Sequence, residues 1–230
     1  MFGQIRPTPF DLNFETFGIP VRVHPLFWAL PLIIAFPMVD SYGPMVLVVS
    51  VLVVFLSLLT HELGHALLQR VFGFRPHIVL YMMGGYAAPE GRGSMLWWHQ
   101  VLIIAAGPAA QLALFGVMSL LAVGLAVTDR YPAAGSPAEA AMTLTLLINL
   151  IWPLINLVPV YPLDGGQIVR WVLIRLRPWD GVRLSLIVSI VSGVGFGAWM
   201  MTTGLSFFGF LLLFCAYQSF QELQGPRMRF

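Results

Sequence analysis

Residues 45–70 read MVLVVSVLVVFLSLLTHELGHALLQR, an apolar run with no charged side chain before Glu62. A helix needs about 20 apolar residues to cross the hydrocarbon core of a bilayer, so this run is long enough to span a membrane. Towards its carboxyl end it carries two histidines and a carboxylate, which are costly at that depth and usually functional. We therefore predict a membrane-spanning helix that holds a functional site.

The composition of the whole chain is that of a membrane protein. Of the 230 residues, 58% are hydrophobic and 10% are charged, whereas an ordinary soluble domain has about 25% charged residues. This excludes a water-soluble globule and a disordered chain, and the single cysteine, Cys215, excludes a disulfide scaffold. No stretch is polar enough for a separate soluble domain, so residues 1–230 are expected to form one transmembrane domain. The net charge of +2 gives no reason to expect a nucleic-acid partner.

Six apolar segments are predicted to cross the membrane. The fold class is therefore an all-α polytopic membrane protein, with a short membrane-associated β-hairpin described below. The six segments cover residues 25–39, 44–72, 96–127, 138 to a break at Pro159 and Pro162, 184–201 and 205–217.

The arginines predict the orientation, because cytoplasmic loops of membrane proteins are enriched in basic residues. If the N-terminus is cytoplasmic and the chain crosses six times, only Arg130 lies outside. The other eleven then lie on the cytoplasmic side: Arg6, Arg22, Arg70, Arg75, Arg92, Arg170, Arg175, Arg177, Arg183, Arg227 and Arg229. Both termini are expected in the cytoplasm, with residues 1–23 as a polar tail that lacks the features of a cleavable signal peptide. The absence of lysine is associated with GC-rich prokaryotic genomes.

Two cytoplasmic segments differ from ordinary linkers. Residues 77–90 read HIVLYMMGGYAAPE, a β-prone run followed by a Gly84-Gly85 turn signal and a second short run, which predicts a hairpin that lies in the membrane or against the helix bundle. Residues 165–179 show the apolar pattern of a helix that ends in arginines and Pro178, which is typical of an interfacial helix.

Among the ten acidic residues, Glu62 and Asp164 alone fall at membrane depth, and His61 and His65 share the span of Glu62. The sequence His61-Glu62-Leu63-Gly64-His65 has the form HExxH, and positions four apart lie on one helix face, so both imidazoles can bind one metal ion. Glu62 is turned about 100° from His61 and can instead reach a metal-bound water. A chance HExxH is expected in roughly a few per thousand shuffled chains of this composition. The alternative is a hydrogen-bonded histidine pair in a helix bundle.

The third ligand of a catalytic zinc is usually a histidine, carboxylate or thiolate. Asp164 is the remaining carboxylate at membrane depth, and it lies in NLVPVYPLDGG (156–166), where two prolines and two glycines prevent a continuous helix. Irregular backbone at that depth is tolerated only where it is buried in protein or lines a cavity. A helix-ending loop capped by Asp164 is the alternative. Cys215 has no neighbouring ligand and is expected to be a small apolar residue.

The two motifs HELGH and NLVPVYPLDGG together resemble the site-2 protease family of intramembrane zinc metalloproteases. The Gly-Gly hairpin and Gly107-Pro108 also resemble family features, and Gln111 departs from the asparagine that follows the Gly-Pro pair in many members. The resemblance covers most of the chain and matches a minimal six-span form, without an inserted PDZ domain or a C-terminal CBS domain.

The resemblance implies one zinc ion per chain, with His61, His65 and Asp164 as ligands and Glu62 as general base. It also implies that Asn156 and Pro162 lie near the substrate, with the Asn156 amide as a candidate donor to the oxyanion.

The implied substrate is a single-pass transmembrane helix, cleaved in regulated intramembrane proteolysis with release of a cytoplasmic fragment. A membrane-bound regulator or an anti-sigma factor is an example of such a substrate, and membrane lipid is the other expected partner. The hairpin at 77–90, with Gly84 and Gly85, offers a strand edge to the unwound substrate by β-addition; a loop that simply covers the site is the alternative. The expected location is the cell membrane.

Two other classes of protein are compatible with polar residues in a helical bundle. An ion or proton transporter also uses broken helices and intramembrane acids, but it predicts paired half-helices in two repeats, and this chain has one broken segment and no repeat. A catalytically inactive binding homologue would not need the base Glu62.

Overall fold

The computed structural model describes residues 6–90 and 96–225, so Arg92, Arg227 and Arg229, which contribute to the predicted orientation, lie outside the described residues. The chain divides into two compact units. Among the described residues, one consists of residues 6–90 and 106–153, and the other of residues 96–105 and 154–225.

The secondary structure is mainly helical, with a small sheet near the N-terminus. The strands are β1 (Leu12–Thr16), β2 (Ile19–Val23), β3 (Arg75–Tyr81) and β4 (Gly84–Glu90). The helices are α1 (Ala29–Ala35), α2 (Val39–Tyr42), α3 (Met45–Val71), α4 (Trp97–Val127), α5 (Pro137–Asn156), α6 (Asp164–Leu176), α7 (Gly181–Thr202) and α8 (Ser206–Gln224).

Five helical segments of the described residues are long and apolar enough to cross a membrane: Pro25–Tyr42, Met45–Val71, Trp97–Val127, Pro137–Asn156 and Gly181–Thr202. The first is not a continuous α-helix, because short 3₁₀ turns at Pro25–Trp28 and Phe36–Met38, each with an early proline, interrupt it. Helix α8 forms where the sixth span is predicted, but it ends in the polar sequence QSFQELQ, which shortens its apolar part. The count of six spans therefore stays a prediction.

The predicted hairpin at 77–90 is confirmed as β3 and β4, which pair antiparallel from Arg75 opposite Glu90 to Tyr81 opposite Gly84. The predicted position of its turn is wrong. The turn lies at residues 82–83, and Gly84 and Gly85 are the first two residues of β4. Gly84 has φ +118°, a conformation that L side chains rarely adopt, so glycine is required where the chain leaves the turn.

The N-terminal segment, predicted as a polar tail, contains a second hairpin. Strands β1 and β2 pair antiparallel around Phe17 and Gly18, both with positive φ, and β2 joins β3 in parallel to give the sheet order β1-β2-β3-β4. Ile19, Val21 and Val23 alternate as buried residues along β2, so one face of the hairpin contributes to the core.

Hydrogen bonds at the start of β1 hold this hairpin. Asp11 accepts from the hydroxyl and the amide of Thr8 at 2.5 and 3.1 Å and from Arg22 at 3.0 Å. These donors, with the Thr8 hydroxyl contributing most, lower the pKa of Asp11 from 3.8 to about 2.

Within the unit that contains the sheet, α3 passes through the core. Its N-terminal part packs in an apolar cluster of Ala35, Val46, Ala140 and Leu144. Its C-terminal part instead buries polar side chains, including His61, Glu62 and His65. Ionisable side chains within a membrane-spanning helix are candidates for a functional site.

The other unit contains the predicted break and the helices α7 and α8, which form where the last two spans are predicted. Residues 157–163 are not helical, and α6 begins at Asp164. Helices α7 and α8 pack closely through glycines, since a Cβ at Gly197 would lie 3.1 Å from the carbonyl oxygen of Gly209.

Candidate active site on helix α3

Helix α3 places the two histidines of HELGH on the same face. The Nε2 atoms of His61 and His65 are 3.1 Å apart, and the rings meet edge to face at 79°. Both residues are buried, at 3% and 8% exposure. Two imidazole nitrogens this close can share a proton or direct their lone pairs at one cation, so the donor set fits a metal that prefers nitrogen ligands.

The histidines lie against a neighbouring helix that approaches them with its backbone. A Cβ at Gly107 of α4 would lie 2.2 Å from His65 Nε2, and a Cβ at Gly64 of α3 would lie 2.4 Å from the carbonyl oxygen of Ala106. A side chain at Gly64 would overlap the backbone of α4, and one at Gly107 would force the His65 ring to move. Gly64, which is unfavourable in a helix on propensity alone, is therefore explained by close approach of α4.

Glu62 points towards the start of strand β4. A Cβ at Gly85 would lie 2.8 Å from both Cγ and Oε1 of Glu62, so the strand passes the carboxylate without a side chain between them. A Cβ at Gly84 would contact the ring of Trp152 at 2.9 Å. The structure thus brings Gly85 to Glu62, whereas Gly84 lies against an aromatic ring.

Three buried polar residues form a hydrogen-bonded series with His61; the sequence singled out Gln111 without giving it a role, and it missed Ser57 and Asn149. Gln111 of α4 is 0% exposed, and its Oε1 lies 2.8 Å from Nδ1 of His61. Its Nε2 donates to the carbonyl oxygen of Ser57 at 3.2 Å, and Asn149 of α5 donates to the Ser57 hydroxyl at 2.8 Å. The site was predicted from the ionisable groups at membrane depth, and these do not include neutral amides. An amide side chain inside an apolar span is the sequence signal that would have identified them.

Asp164 lies in the second unit, at the first position of α6, and is buried at 8% exposure. The two glycines that follow it allow the chain to fold back tightly. A Cβ at Gly165 would lie 2.1 Å from the carbonyl oxygen of Leu157, and one at Gly166 would lie 2.2 Å from the amide nitrogen of Tyr161. The LDGG sequence is therefore fixed by the shape of the broken segment.

Hydrogen bonds from α6, α7 and α8 hold the broken segment. Tyr161 donates its amide to the Ser189 hydroxyl at 2.9 Å and accepts from Ser219 at 3.3 Å. Gln167 donates to the carbonyl oxygen of Pro162 at 2.9 Å, and the Arg170 guanidinium lies 3.8 Å from the centre of the Tyr161 ring. Asn156, the other predicted residue, is the last residue of α5.

Five candidate spans, a small sheet and a buried HExxH turn define a class of polytopic membrane protein with a helix-borne metal-binding motif. The sequence profile of Peptidase family M50 matches residues 49–196, more than half of the chain. The chain belongs to this family.

Similar proteins come from bacteria and an archaeon. A candidate zinc metalloprotease of Synechocystis sp. is 29% identical over 79% of this chain and 48% of its own length. Stage IV sporulation protein FB of Bacillus subtilis is 26% identical over 80% of this chain and 58% of its own. The chain thus spans about half the length of these relatives.

The fold is similar to that of a solved structure, the site-2 protease from Methanocaldococcus jannaschii. The TM-score is 0.56 at 21% sequence identity, and the match covers 96% of this chain and 99% of the other.

The contact between Gly107 of α4 and His65 can be tested by a substitution that adds one methyl group. Because a Cβ at Gly107 overlaps His65 Nε2, we expect Gly107→Ala to turn the imidazole away and to weaken zinc binding by about tenfold or more. Overpacking should also cost about 1–3 kcal/mol of stability. Metal content and the melting temperature of the purified protein measure both effects.

Gly116→Ala is the matched control, since it lies on the same helix and a Cβ there meets nothing within 4 Å. It should keep both zinc and stability. Equal zinc affinity in the two variants would contradict the contact.

Proposed function

We propose that the protein is a zinc-dependent intramembrane endopeptidase of the site-2 protease type. The observation that carries the proposal is the HELGH turn: two buried imidazoles converge within 3.1 Å, with a carboxylate beside them, on a helix long and apolar enough to cross a membrane. The names of its relatives, which include zinc metalloproteases, support the same activity.

His61, His65 and Asp164 are the proposed ligands of one zinc ion. The first two supply neutral nitrogens from one helix face, and Asp164 supplies a carboxylate held by the glycine-lined break before α6. Bound zinc lowers the pKa of a coordinated water to about 7 and polarises a carbonyl group.

Glu62 is the proposed general base. Its place on the helix keeps it off the face of the two histidines, so it can take a proton from the attacking water and pass it to the leaving amine. Strand β4 approaches the carboxylate closely at Gly85, where a Cβ would lie 2.8 Å from Oε1 of Glu62, so a side chain there would displace the base.

Asn156 and Pro162 are the proposed substrate-side residues of the broken segment. The Asn156 amide can donate a hydrogen bond to the oxyanion that forms during attack. Pro162 shapes the backbone two residues before Asp164, and its carbonyl is held by Gln167.

The proposed substrate is a transmembrane helix of another protein. Its scissile carbonyl is shielded while helical, so the segment must unwind, and its freed backbone groups then need partners. Strand β4 is the last strand of the sheet order and pairs with β3 on one side among the described residues. Its other edge can therefore add a substrate strand.

The pattern of β4 indicates which backbone groups face that edge. Pro89 lacks an N–H, and proline in a strand is tolerated where the N–H would face away from the ladder. Ala87, two residues earlier, accepts a hydrogen bond at its carbonyl oxygen from the Gln69 side chain. Residues 85, 87 and 89 thus share the outer edge, and the Ala87 N–H is the donor offered to a substrate.

The proposed setting is the prokaryotic cell membrane, with six spans and both termini cytoplasmic. Arg70 and Arg75 follow the HELGH turn on the predicted cytoplasmic side. Cleavage near this depth would release a cytoplasmic fragment, which suits a membrane-held regulator or anti-sigma factor as substrate.

Two variants, compared with the wild type, test the proposed chemistry. Wild type and Glu62→Gln should each retain about one zinc per chain, while Asp164→Ala should lose most of it because a ligand is removed. Cleavage of a transmembrane substrate should fall by about 10²–10⁴-fold in Glu62→Gln, the usual contribution of a general base. A wild-type protein that binds no zinc in chelator-free preparation, or a fully active Glu62→Gln, would contradict the proposal.

Strand addition is tested at the outer edge of β4. Ala87→Pro removes the outward N–H and leaves the pairing with β3 in place, so kcat/KM for a transmembrane substrate should fall about 2- to 10-fold, the value of one hydrogen bond. Zinc content should not change. Ala87→Ser, which keeps the N–H, is the control, and equal kcat/KM in both variants would favour a hairpin that only covers the site.

A further inference from the structure

We propose that Gln111 is a positioning residue that fixes the tautomer of His61 and so presents its Nε2 to the metal. The inference rests on the proposed zinc site, and it assigns a role to a residue that neither the HExxH motif nor the Asp164 segment includes. It follows from three hydrogen-bonding groups in series: the Ser57 carbonyl, the Gln111 amide and the His61 ring.

The series begins at the backbone carbonyl of Ser57, whose role in a hydrogen bond is fixed. The Ser57 carbonyl oxygen can accept a hydrogen bond and cannot donate one. The Gln111 side chain lies 3.2 Å from it, so the NH₂ end of the amide must face Ser57. The reversed amide would place two acceptor oxygens in contact inside an apolar environment, which is unfavourable.

The orientation of the amide then determines the ring. With its NH₂ end on Ser57, Gln111 turns Oε1 to Nδ1 of His61, at 2.8 Å. An amide oxygen only accepts, so Nδ1 must carry the proton. A neutral imidazole with Nδ1–H has its lone pair on Nε2, the atom that lies 3.1 Å from Nε2 of His65.

Burial keeps these hydrogen bonds from being exchanged for hydrogen bonds to water. Gln111 is 0% exposed and Ser57 is 2% exposed, so water does not readily replace either partner. Residues that orient a histidine ligand through its second nitrogen typically contribute 10- to 100-fold to metal affinity. Gln111 also spans two helices, because it lies on α4 while both of its partners lie on α3.

Asn149 provides a matched control. It is also a buried amide at 0% exposure and also contacts Ser57, but through the serine hydroxyl, at 2.8 Å. Its second donor bond goes to the carbonyl oxygen of Thr145 on its own helix. Asn149→Leu therefore removes a buried amide from the same region without removing the hydrogen bond to His61.

The test measures zinc affinity of the full-length, detergent-purified chain by competition with a chelator. Gln111→Leu should weaken zinc binding by about 10- to 100-fold, whereas Asn149→Leu should stay within about threefold of wild type even if its melting temperature falls. Equal affinity of Gln111→Leu and wild type, or equal losses in the two variants, would overturn the proposal.

A second measurement uses the wild-type protein, so it does not depend on whether a Gln111 variant folds. In metal-free wild type at a pH where His61 is neutral, ¹⁵N NMR of the imidazole should show the Nδ1–H form, with the signal assigned by its loss in His61→Ala. The Nε2–H form would overturn the role of Gln111. Because this measurement is made without metal, it separates a failure of this proposal from a failure of the zinc protease proposal.

Discussion

The close approach of α4 to α3 is the contact on which the site depends. Gly64 and Gly107 lack the side chains that would keep the two helices apart. A Cβ at Gly64 would overlap the carbonyl oxygen of Ala106, and a Cβ at Gly107 would overlap the His65 ring. One consequence is that His65 lies against bare backbone and cannot turn freely. The other is that Gln111, one turn further along α4, reaches His61. A single packing arrangement therefore restrains both imidazoles.

Burying an unpaired polar group in an apolar protein is unfavourable, which explains why the buried polar side chains are hydrogen-bonded to one another. Ser57, Gln111 and Asn149 are nearly inaccessible to solvent, and each has a hydrogen-bond partner among the other helices of its unit. In the second unit the same requirement is met around Tyr161, whose amide and carbonyl bond to serines of α7 and α8. Irregular backbone near Asp164 is tolerated because side chains replace the missing helical hydrogen bonds.

The sequence predicted the features that depend on local patterns. Apolar length predicted the long helices, the prolines and glycines around Asp164 predicted the break, and β-prone residues predicted the β3–β4 hairpin. It did not predict β1 and β2, because their hairpin turns at Phe17 and Gly18, without the usual Asn-Gly or Gly-Gly signal, and because β3, the parallel partner of β2, lies more than 50 residues away. The turn was misplaced because Gly84-Gly85 resembles a turn, whereas Gly85 serves the approach to Glu62. The ligand assignment stays a prediction.

Extended X-ray absorption at the zinc edge reports the ligands of the metal in the intact protein and so tests the proposed zinc site. We predict one four-coordinate zinc with nitrogen and oxygen neighbours at about 2.0–2.2 Å and multiple scattering from two imidazoles. A sulfur neighbour at about 2.3 Å, which Cys215 would have to supply, or scattering from fewer than two imidazoles, would contradict it.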